Sequence, residues 1–428
     1  MNLTATTLFG GLNEADVLTR LRAVSAVTGD STAEDAAEVF ARVAFSGIAE
    51  PGDRMAGMLL TALGANGALD ALIRRCDPER IMGLMGQTAG GAALGIAFDE
   101  ELVQLISAGL ERWAPRLNAR EAVAHLERAA RFDTVLLTPA HAFWPQGLDD
   151  LGLHAPHVLW ARGTPELLAT LPRSIAVVGA RASTGYGEHV TMEAAAGLVD
   201  RGVTVVSGAA YGIDGMAHRS ALASGGNTVA FLAGGVDRFY PSGHDALLHR
   251  IVASGVVLSE LPCGASPTKW RFLQRNRLIA AASAATVVIE AGWRSGSLNT
   301  AGHASALGRP LGVVPGPVTS ASSAGCHRLL RETDAILVTT AAEMFELLSL
   351  DIAPPARERD EQEDPEERRV MDALSLRTPR SAEDIARRAG LSVMQVQSVL
   401  GLCELTGRAV GGDKGWRRHG GSDPQKGG

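Results

Sequence analysis

The chain has 428 residues, 46% of them apolar but only 4% aromatic, which suits two or three Ala- and Gly-rich domains rather than one large core or an aromatic-rich sandwich. The formal charge of −7 excludes a uniformly basic nucleic-acid binder. No basic stretch leads into an apolar one at the N-terminus, and no run approaches about eighteen uninterrupted apolar residues, so neither a signal peptide nor a membrane span is expected.

The charge is unevenly spread. From Leu261 to Arg331 the acid is Glu290 alone, against Lys269, Arg271, Arg275, Arg277, Arg294, Arg309, Arg328 and Arg331. That segment carries +7 and the remainder −14. Local potential, not net charge, decides whether a polyanion binds. Cys76, Cys263, Cys326 and Cys403 are scattered without paired spacing, so neither a zinc site nor a disulfide framework is expected, and a reducing cytoplasm is the simplest compartment.

In chain order, residues 1–130 read as a helical domain, with amphipathic runs such as Thr32–Phe45 and Gly57–Ile73 and breakers such as Glu50-Pro-Gly-Asp53. Over 131–350 the pattern becomes strands alternating with helices. Strands are predicted at Thr134–Thr138, His157–Ala161, Ile175–Val178, Val203–Ser207, Thr228–Leu232, Val256–Glu260, Thr286–Glu290 and Leu311–Val314. From Ile175 on, continuous apolar strands followed by glycines and helical periods predict a parallel sheet covered on both faces, with ligands at the carboxyl ends of the strands. A charged linker is expected over 351–365. The segment 366–419 reads as a winged helix: Val370–Leu376, a capped helix opening at Ser381-Ala-Glu-Asp384 and closing at Gly390, Ser392–Leu405, then a wing around Gly411–Gly415. A disordered tail is expected over 420–428.

Four loops carry candidate chemistry. Gly179-Ala-Arg-Ala-Ser-Thr-Gly-Tyr-Gly187 joins a strand to a helix, where glycine backbone and free N–H groups suit an anion and Arg181 can fork onto a phosphate. It is neither a dinucleotide fingerprint nor a Walker A loop, and a plain tight turn is the alternative. Ser207-Gly-Ala-Ala-Tyr-Gly-Ile-Asp214 precedes His218, four residues beyond Asp214 on one helix face. This spacing allows a catalytic pair, or a hydrogen bond between adjacent turns. Lys269-Trp-Arg-Phe-Leu-Gln-Arg-Asn-Arg277 interleaves four cations with Trp270 and Phe272. Cations there can follow a phosphate backbone while a ring stacks on an unpaired base, and cations at a helix start oppose its dipole unless an anion joins them. Glu290-Ala-Gly-Trp-Arg-Ser-Gly-Ser-Leu-Asn-Thr300 offers small hydroxyls and amides to a phosphate, with Glu290 as a loop cap, an Arg partner or a base.

In their order, Val178-Gly-Ala-Arg181, Ser207-Gly with Gly212-Ile-Asp214 and Ala217-His218, Arg275-Asn-Arg-Leu-Ile279, Glu290 with Ser295-Gly-Ser and Thr300-Ala, and Val314-Pro-Gly316 resemble the DNA-processing family DprA/Smf over roughly Thr138 to Leu348. The resemblance implies an α/β fold: an extended Rossmann-like parallel sheet with an N-terminal helical (SAM-like) domain and a C-terminal winged-helix-like module. It also implies a non-enzymatic protein without cofactor or metal. Such a protein binds single-stranded DNA, protects it, helps to load the RecA recombinase during natural transformation, and dimerises through the Rossmann domain. The family's phosphate-binding arginine matches Arg181, and its lysine and aromatic match Lys269 and Phe272. The DNA-contacting set is then expected to comprise Gly179, Arg181, Ser183, Ser207, Gly208, Gly212, Lys269, Trp270, Phe272, Arg275, Asn276, Arg277, Ser295, Gly296, Ser297 and Thr300, with Asp214, His218 and Glu290 structural. His244 departs from the family's common Asn, and Trp270 lies in a variable stretch. Two rivals are a Rossmann-like nucleotide hydrolase of the cytokinin-activating type, whose Pro-Gly-Gly-x-Gly-Thr-x-x-Glu signature is absent, and a duplex-binding regulator acting through the winged helix. The latter's recognition helix would hold neither Arg nor Lys, although its wing holds Lys414, Arg417 and Arg418.

Overall fold

The structure, a computed structural model, describes residues 12–27, 31–96, 99–348, 365–376, 378–405, 408–412 and 415–418. The expected tail, Lys414 of the wing, and the linker except Pro365 lie outside the described residues. The chain divides into two units, Met1–Ser349 and Leu350–Gly428.

The first unit opens with helices α1 (Glu14–Arg22), α2 (Ala33–Ile48), α3 (Arg54–Ile73), α4 (Pro78–Gly86), α5 (Ala89–Ala93), α6 (Glu100–Trp113) and α7 (Ala119–Arg131). Side-chain caps start them: Thr32 forms a capping box with Asp35, and Asp53 accepts from the amides of Met55 and Ala56. By length and composition α3 could cross a membrane, but 56% of its most apolar window is buried inside the protein. It is also broken at Gly64 (φ 71°), where the Glu38 carboxylate accepts from the freed amides of Ala65 and Asn66 at 3.0 and 2.9 Å. Here α3 is a core helix.

A nine-stranded sheet follows, built from β1 (Val135–Leu137), β2 (Leu159–Gly163), β3 (Ser174–Val178), β4 (Thr204–Ser207), β5 (Thr228–Phe231), β6 (Val256–Ser259), β7 (Ala285–Val288), β8 (Leu311–Val313) and β9 (Ile336–Leu337). Their order is β1-β2-β6-β5-β4-β3-β7-β8-β9. The strands from β6 to β9 are parallel, while β1 and β2 add an antiparallel edge. Between them run α8 (Gly185–Asp200), α9 (Ile213–Ala223), α10 (Asp245–Ser254), α11 (Lys269–Ala282), α12 (Ser297–Ala306), α13 (Ala324–Glu332) and α14 (Ala341–Glu346). Every residue of β3 to β8 is buried, the signature of a sheet covered on both faces. This is the expected extended Rossmann-like sheet. The two-residue β9 was not predicted; both its side chains are exposed, so it shows no apolar run.

No break between cores falls near residue 130. One cluster joins Phe40, Phe45, Leu59 and Trp113 to Leu136, Trp160, Ala230 and Val257, so the N-terminal helices share their core with part of the sheet. The chain order of the strands reverses at β3: β4, β5 and β6 build outward on one side, β7 to β9 on the other. The loops leaving β3 and β7 part at this switch point, and they leave a crevice at the carboxyl edge.

The second unit contains α15 (Pro365–Ala373), α16 (Ala382–Ala389), α17 (Val393–Leu405) and the hairpin β10 (Ala409–Gly412) with β11 (Gly415–Arg418). Ser381 caps α16 and Gly390 closes it in the left-handed region (φ 68°). Val370, Ile385, Val396, Leu400 and Cys403 form its core. This is a winged helix.

Candidate nucleic-acid interface

The crevice encloses ≈ 580 Å³ and is lined by the loops after β3 and β7 and the start of α11. Its first wall is the Gly179 loop, pinned on two sides. The Ala180 amide donates to the Glu290 carbonyl at 2.7 Å, and the Ala180 carbonyl accepts from Ile213 at 3.2 Å. A Cβ on Gly179 would stand 2.5 Å from the Ile213 side chain, so the tight approach admits only glycine. Glu290, 2% exposed, accepts from the Thr184 amide (2.9 Å) and hydroxyl (2.8 Å). It is the cap of this loop, which leaves it no role as a base facing ligand. Ser183 donates to Glu188 at 3.1 Å. With both flanks tied down, exposed Arg181 forms the tip.

Arg181 lies over Phe272, its guanidinium carbon 4.8 Å from the ring centroid. Phe272 sits in the first turn of α11, which Thr268 caps by accepting from Arg271. The Tyr240 ring stands 5.7 Å from that of Phe272, and Arg275 lies 5.9 Å from the same centroid. Residues from three distant loops thus build one aromatic platform with a cation over it. Lys269 and Trp270 are exposed on the same turn.

The other α11 arginines are placed differently. Arg275 is 5% exposed and donates to the carbonyls of Gly208 and Phe231 at 2.6 and 2.5 Å. Burial pushes its pKa down to about 10, opposed by the charge of Asp214. It lines the crevice floor and orients loops. Arg277, 3% exposed, donates to both Glu260 oxygens at 2.8 Å and to the His154 carbonyl at 3.0 Å. Arg271 forks onto Glu50 at 3.0 and 2.9 Å. Arg277 is therefore corrected from a phosphate ligand to a buried ion pair, because a guanidinium this deep needs a full set of acceptors and has one.

Several further expected contacts are likewise internal. Ser207 is fully buried and donates to the Val177 carbonyl at 2.7 Å. Gly208 is buried against Arg275, whose guanidinium would stand 2.2 Å from an added Cβ. Gly212 (φ 75°) packs on the Arg181 backbone, where a side chain would meet the Ala180 carbonyl at 2.2 Å. These three shape the site without offering a group to it. Asp214 and His218 do not bond to each other. Asp214 accepts from the Gly208 amide at 3.2 Å, and burial holds its carboxyl above the ordinary range, with Arg275 opposing. His218 is bonded to Thr228 Oγ1 at 2.7 Å, and burial drives its pKa down to about 3. A catalytic pair is excluded by this divergence.

The second wall is the β7 loop. Ser295 and Ser297 share a hydroxyl hydrogen bond of 2.7 Å, and Asn276 donates to the Gly296 carbonyl (3.3 Å) and Asn299 (3.2 Å). Ser295, Gly296, Ser297 and Thr300 all line the crevice, Ser297 and Thr300 from buried positions. Exposed Trp293 and Arg294 stand on the same wall. Tyr240 and Trp293 are not among the residues expected to contact DNA, and Arg294 is expected only as one of the cations of the basic segment. Their one signal was an aromatic or cation within a Gly-, Ser- or Pro-containing loop after a strand.

Comparison with known proteins agrees with this arrangement. The family model for DNA recombination-mediator protein A matches residues 135–349, and that for the DprA winged helix domain matches 353–412. A Mycobacterium tuberculosis protein named as a DprA is 52% identical over 270 residues, 62% of this chain and 69% of that one. The Bacillus subtilis DNA processing protein DprA is 32% identical over 240 residues, 56% of this chain and 78% of its own. The solved DprA of Streptococcus pneumoniae superposes with a TM-score of 0.53 at 29% identity, covering 71% of this chain and 95% of that one. With its ordered loops, its sheet and its winged helix all matched, the chain belongs to the DNA recombination-mediator protein A (DprA) family.

Proposed function

We propose that the chain binds single-stranded DNA in the switch-point crevice, protects it, and presents it to a RecA-type recombinase during transformation or recombination. The observation that carries this reading is the Arg181–Phe272 stack at the crevice mouth, where the nearby acids, Asp214 in the lining and Glu290 behind the Gly179 loop, are both buried and engaged. A half-buried ring under an exposed guanidinium at the edge of a crevice suits an unpaired base next to a phosphate, a geometry that duplex DNA cannot reach. The expected DNA-contacting set narrows to the groups lining the crevice, Gly179, Arg181, Phe272, Ser295, Gly296, Ser297 and Thr300 with Arg275 and Asn276 on the floor, together with Ser183 on the Gly179 loop and exposed Lys269 and Trp270 beside Phe272. Binding, not turnover, is the reading, because Asp214, His218 and Glu290 all serve the fold. The reading extends to a RecA-type partner, a homodimer through the Rossmann domain and a cytoplasmic location, as the family resemblance implies. Titration of oligo-dT against a duplex of equal length at matched salt tests it. Preference for the single strand is expected, and equal affinity overturns the reading.

A further inference from the structure

We propose that Trp293, backed by Arg328, is a second base-stacking post, so that the crevice seats two unpaired bases of one strand, one on Phe272 and one on Trp293. This rests on the single-strand reading above. Trp293 is 59% exposed, more than any other aromatic residue among those described, and it lines the same cavity as Phe272. The Arg328 guanidinium carbon lies 5.1 Å from its ring centroid, while Arg328 Nε keeps Glu332 at 3.7 Å. With one face under Arg328 and most of the ring exposed, the other face is left to solvent. The arrangement repeats that of Arg181 over Phe272. A cation polarised against a ring strengthens its hold on a base, and an indole is the better platform of the two.

The tryptophan is not needed to hold its loop. The Gly325 amide donates to the Ala291 carbonyl at 2.7 Å, the Ser295 amide to Gly292 at 3.1 Å, and Gly325 packs so closely that an added Cβ would stand 2.5 Å from the Gly292 carbonyl. The backbone is therefore fixed without the indole, and an exposed ring of this size with no structural task points to a ligand. Exposed Arg294 follows directly, with no ion-pair partner among the described residues, and can meet the phosphate between the two bases. A volume of ≈ 580 Å³ lies inside the range of about 300–1,000 Å³ that drug-sized ligands fill, which suits a dinucleotide step better than one base.

The test compares full-length wild type, Trp293→Ala, Trp293→Phe and Arg181→Ala on oligo-dT across a salt series. Trp293→Ala is expected to weaken binding by about ten- to a hundredfold with an unchanged salt slope, since stacking releases no counterion. Trp293→Phe should stay within about threefold of wild type, because a phenyl ring still stacks. Unchanged affinity in Trp293→Ala, while Arg181→Ala weakens binding, overturns the second post and leaves the single-strand reading standing. Unchanged affinity in both variants overturns the two together. Equal loss in Trp293→Phe and Trp293→Ala, with melting temperatures at wild-type values, also overturns the stacking role.

Discussion

The rim and the floor of the crevice are both built from arginine, yet the two regions do opposite work. On the rim, Arg181 and Arg294 are exposed and Arg181 rests on an aromatic face. Below them, Arg275 on the floor and Arg277, turned away from the crevice toward Glu260, are almost fully buried and saturated by carbonyls or by Glu260. A guanidinium in the interior is tolerable only with its donors satisfied, so it becomes a strut; at the surface it stays available to a ligand. Charge density along a sequence therefore overstates the charge that a polyanion meets.

The largest effect expected from this division is on stability. Glu260→Gln or Arg277→Met leaves one buried partner uncompensated and should cost about 3–5 kcal/mol of unfolding free energy in urea melts. The double variant Glu260→Leu with Arg277→Met should recover much of that loss. Affinity of the folded fraction for oligo-dT should hardly change. If Arg277→Met instead weakens binding while stability stays constant, Arg277 is a ligand contact and not a strut.

Acid sharpens the same contrast. Burial drives His218 down to about 3 and His157 to about 4, whereas both ionise near 6.5 when unfolded. The unfolded chain then takes up protons that the fold refuses. Stability from these groups is complete above pH 6.5 and is lost as pH falls toward 4, at about 1.4 kcal/mol per pH unit for each imidazole. Denaturant midpoints measured between pH 7 and 4.5 should fall along that course, and His218→Gln should flatten the slope. A stability independent of pH across this window contradicts the buried neutral state.

On the rim the effect moves from stability to binding. Arg181→Ala should weaken oligo-dT by about ten- to a hundredfold, the equivalent of one charge-assisted contact of roughly 1.5–3 kcal/mol. The log-affinity against log-salt slope should flatten by about 0.7, one phosphate on a single strand. Arg181→Lys should restore part of it, because an ammonium cannot fork. Melting temperature should be unaffected. Unchanged affinity and slope in Arg181→Ala would make the Gly179 loop a mere turn.

Much of this architecture was legible in the sequence. Short Val-rich strands each followed by glycine placed the loops of β3, β4 and β7 correctly, since burial on both faces leaves an uninterrupted apolar run. What was not legible were pairings across distance. Nothing local says that Arg271 meets Glu50, 221 residues away, or that Arg277 finds Glu260 and the His154 carbonyl. The cluster Lys269–Arg277 therefore read as one basic surface, although a helix turns only one stripe of its residues toward solvent and the rest of the helix, from Arg275 on, is buried. Tyr240 and Trp293 were missed for the same reason: each is a lone aromatic in a loop, and only the sheet's switch point brings them beside Phe272.

The smallest effect is expected from the far end of the chain. Helix α17, the recognition helix of the winged unit, contains neither Arg nor Lys, and Met394, Gln395 and Gln397 are exposed on it. Arg417 and Arg418 on β11 are exposed cations, but without a basic helix beside them they offer phosphate contacts and no base readout. The crevice, by contrast, belongs wholly to the first unit, whose cores contain no residue from beyond Ser349. Ending the chain at Ser349 should leave oligo-dT affinity within about threefold of the full length and remove at most about 0.7 from the salt slope for each wing arginine that touches a phosphate. Duplex affinity, if the wing supplies it, should drop more than single-strand affinity. Fluorescence anisotropy of both proteins on both ligands measures this directly. A truncated protein that melts cooperatively yet no longer binds oligo-dT would move the DNA from the switch-point crevice to the winged helix, and the distinction between rim and floor would then describe a folding scaffold alone.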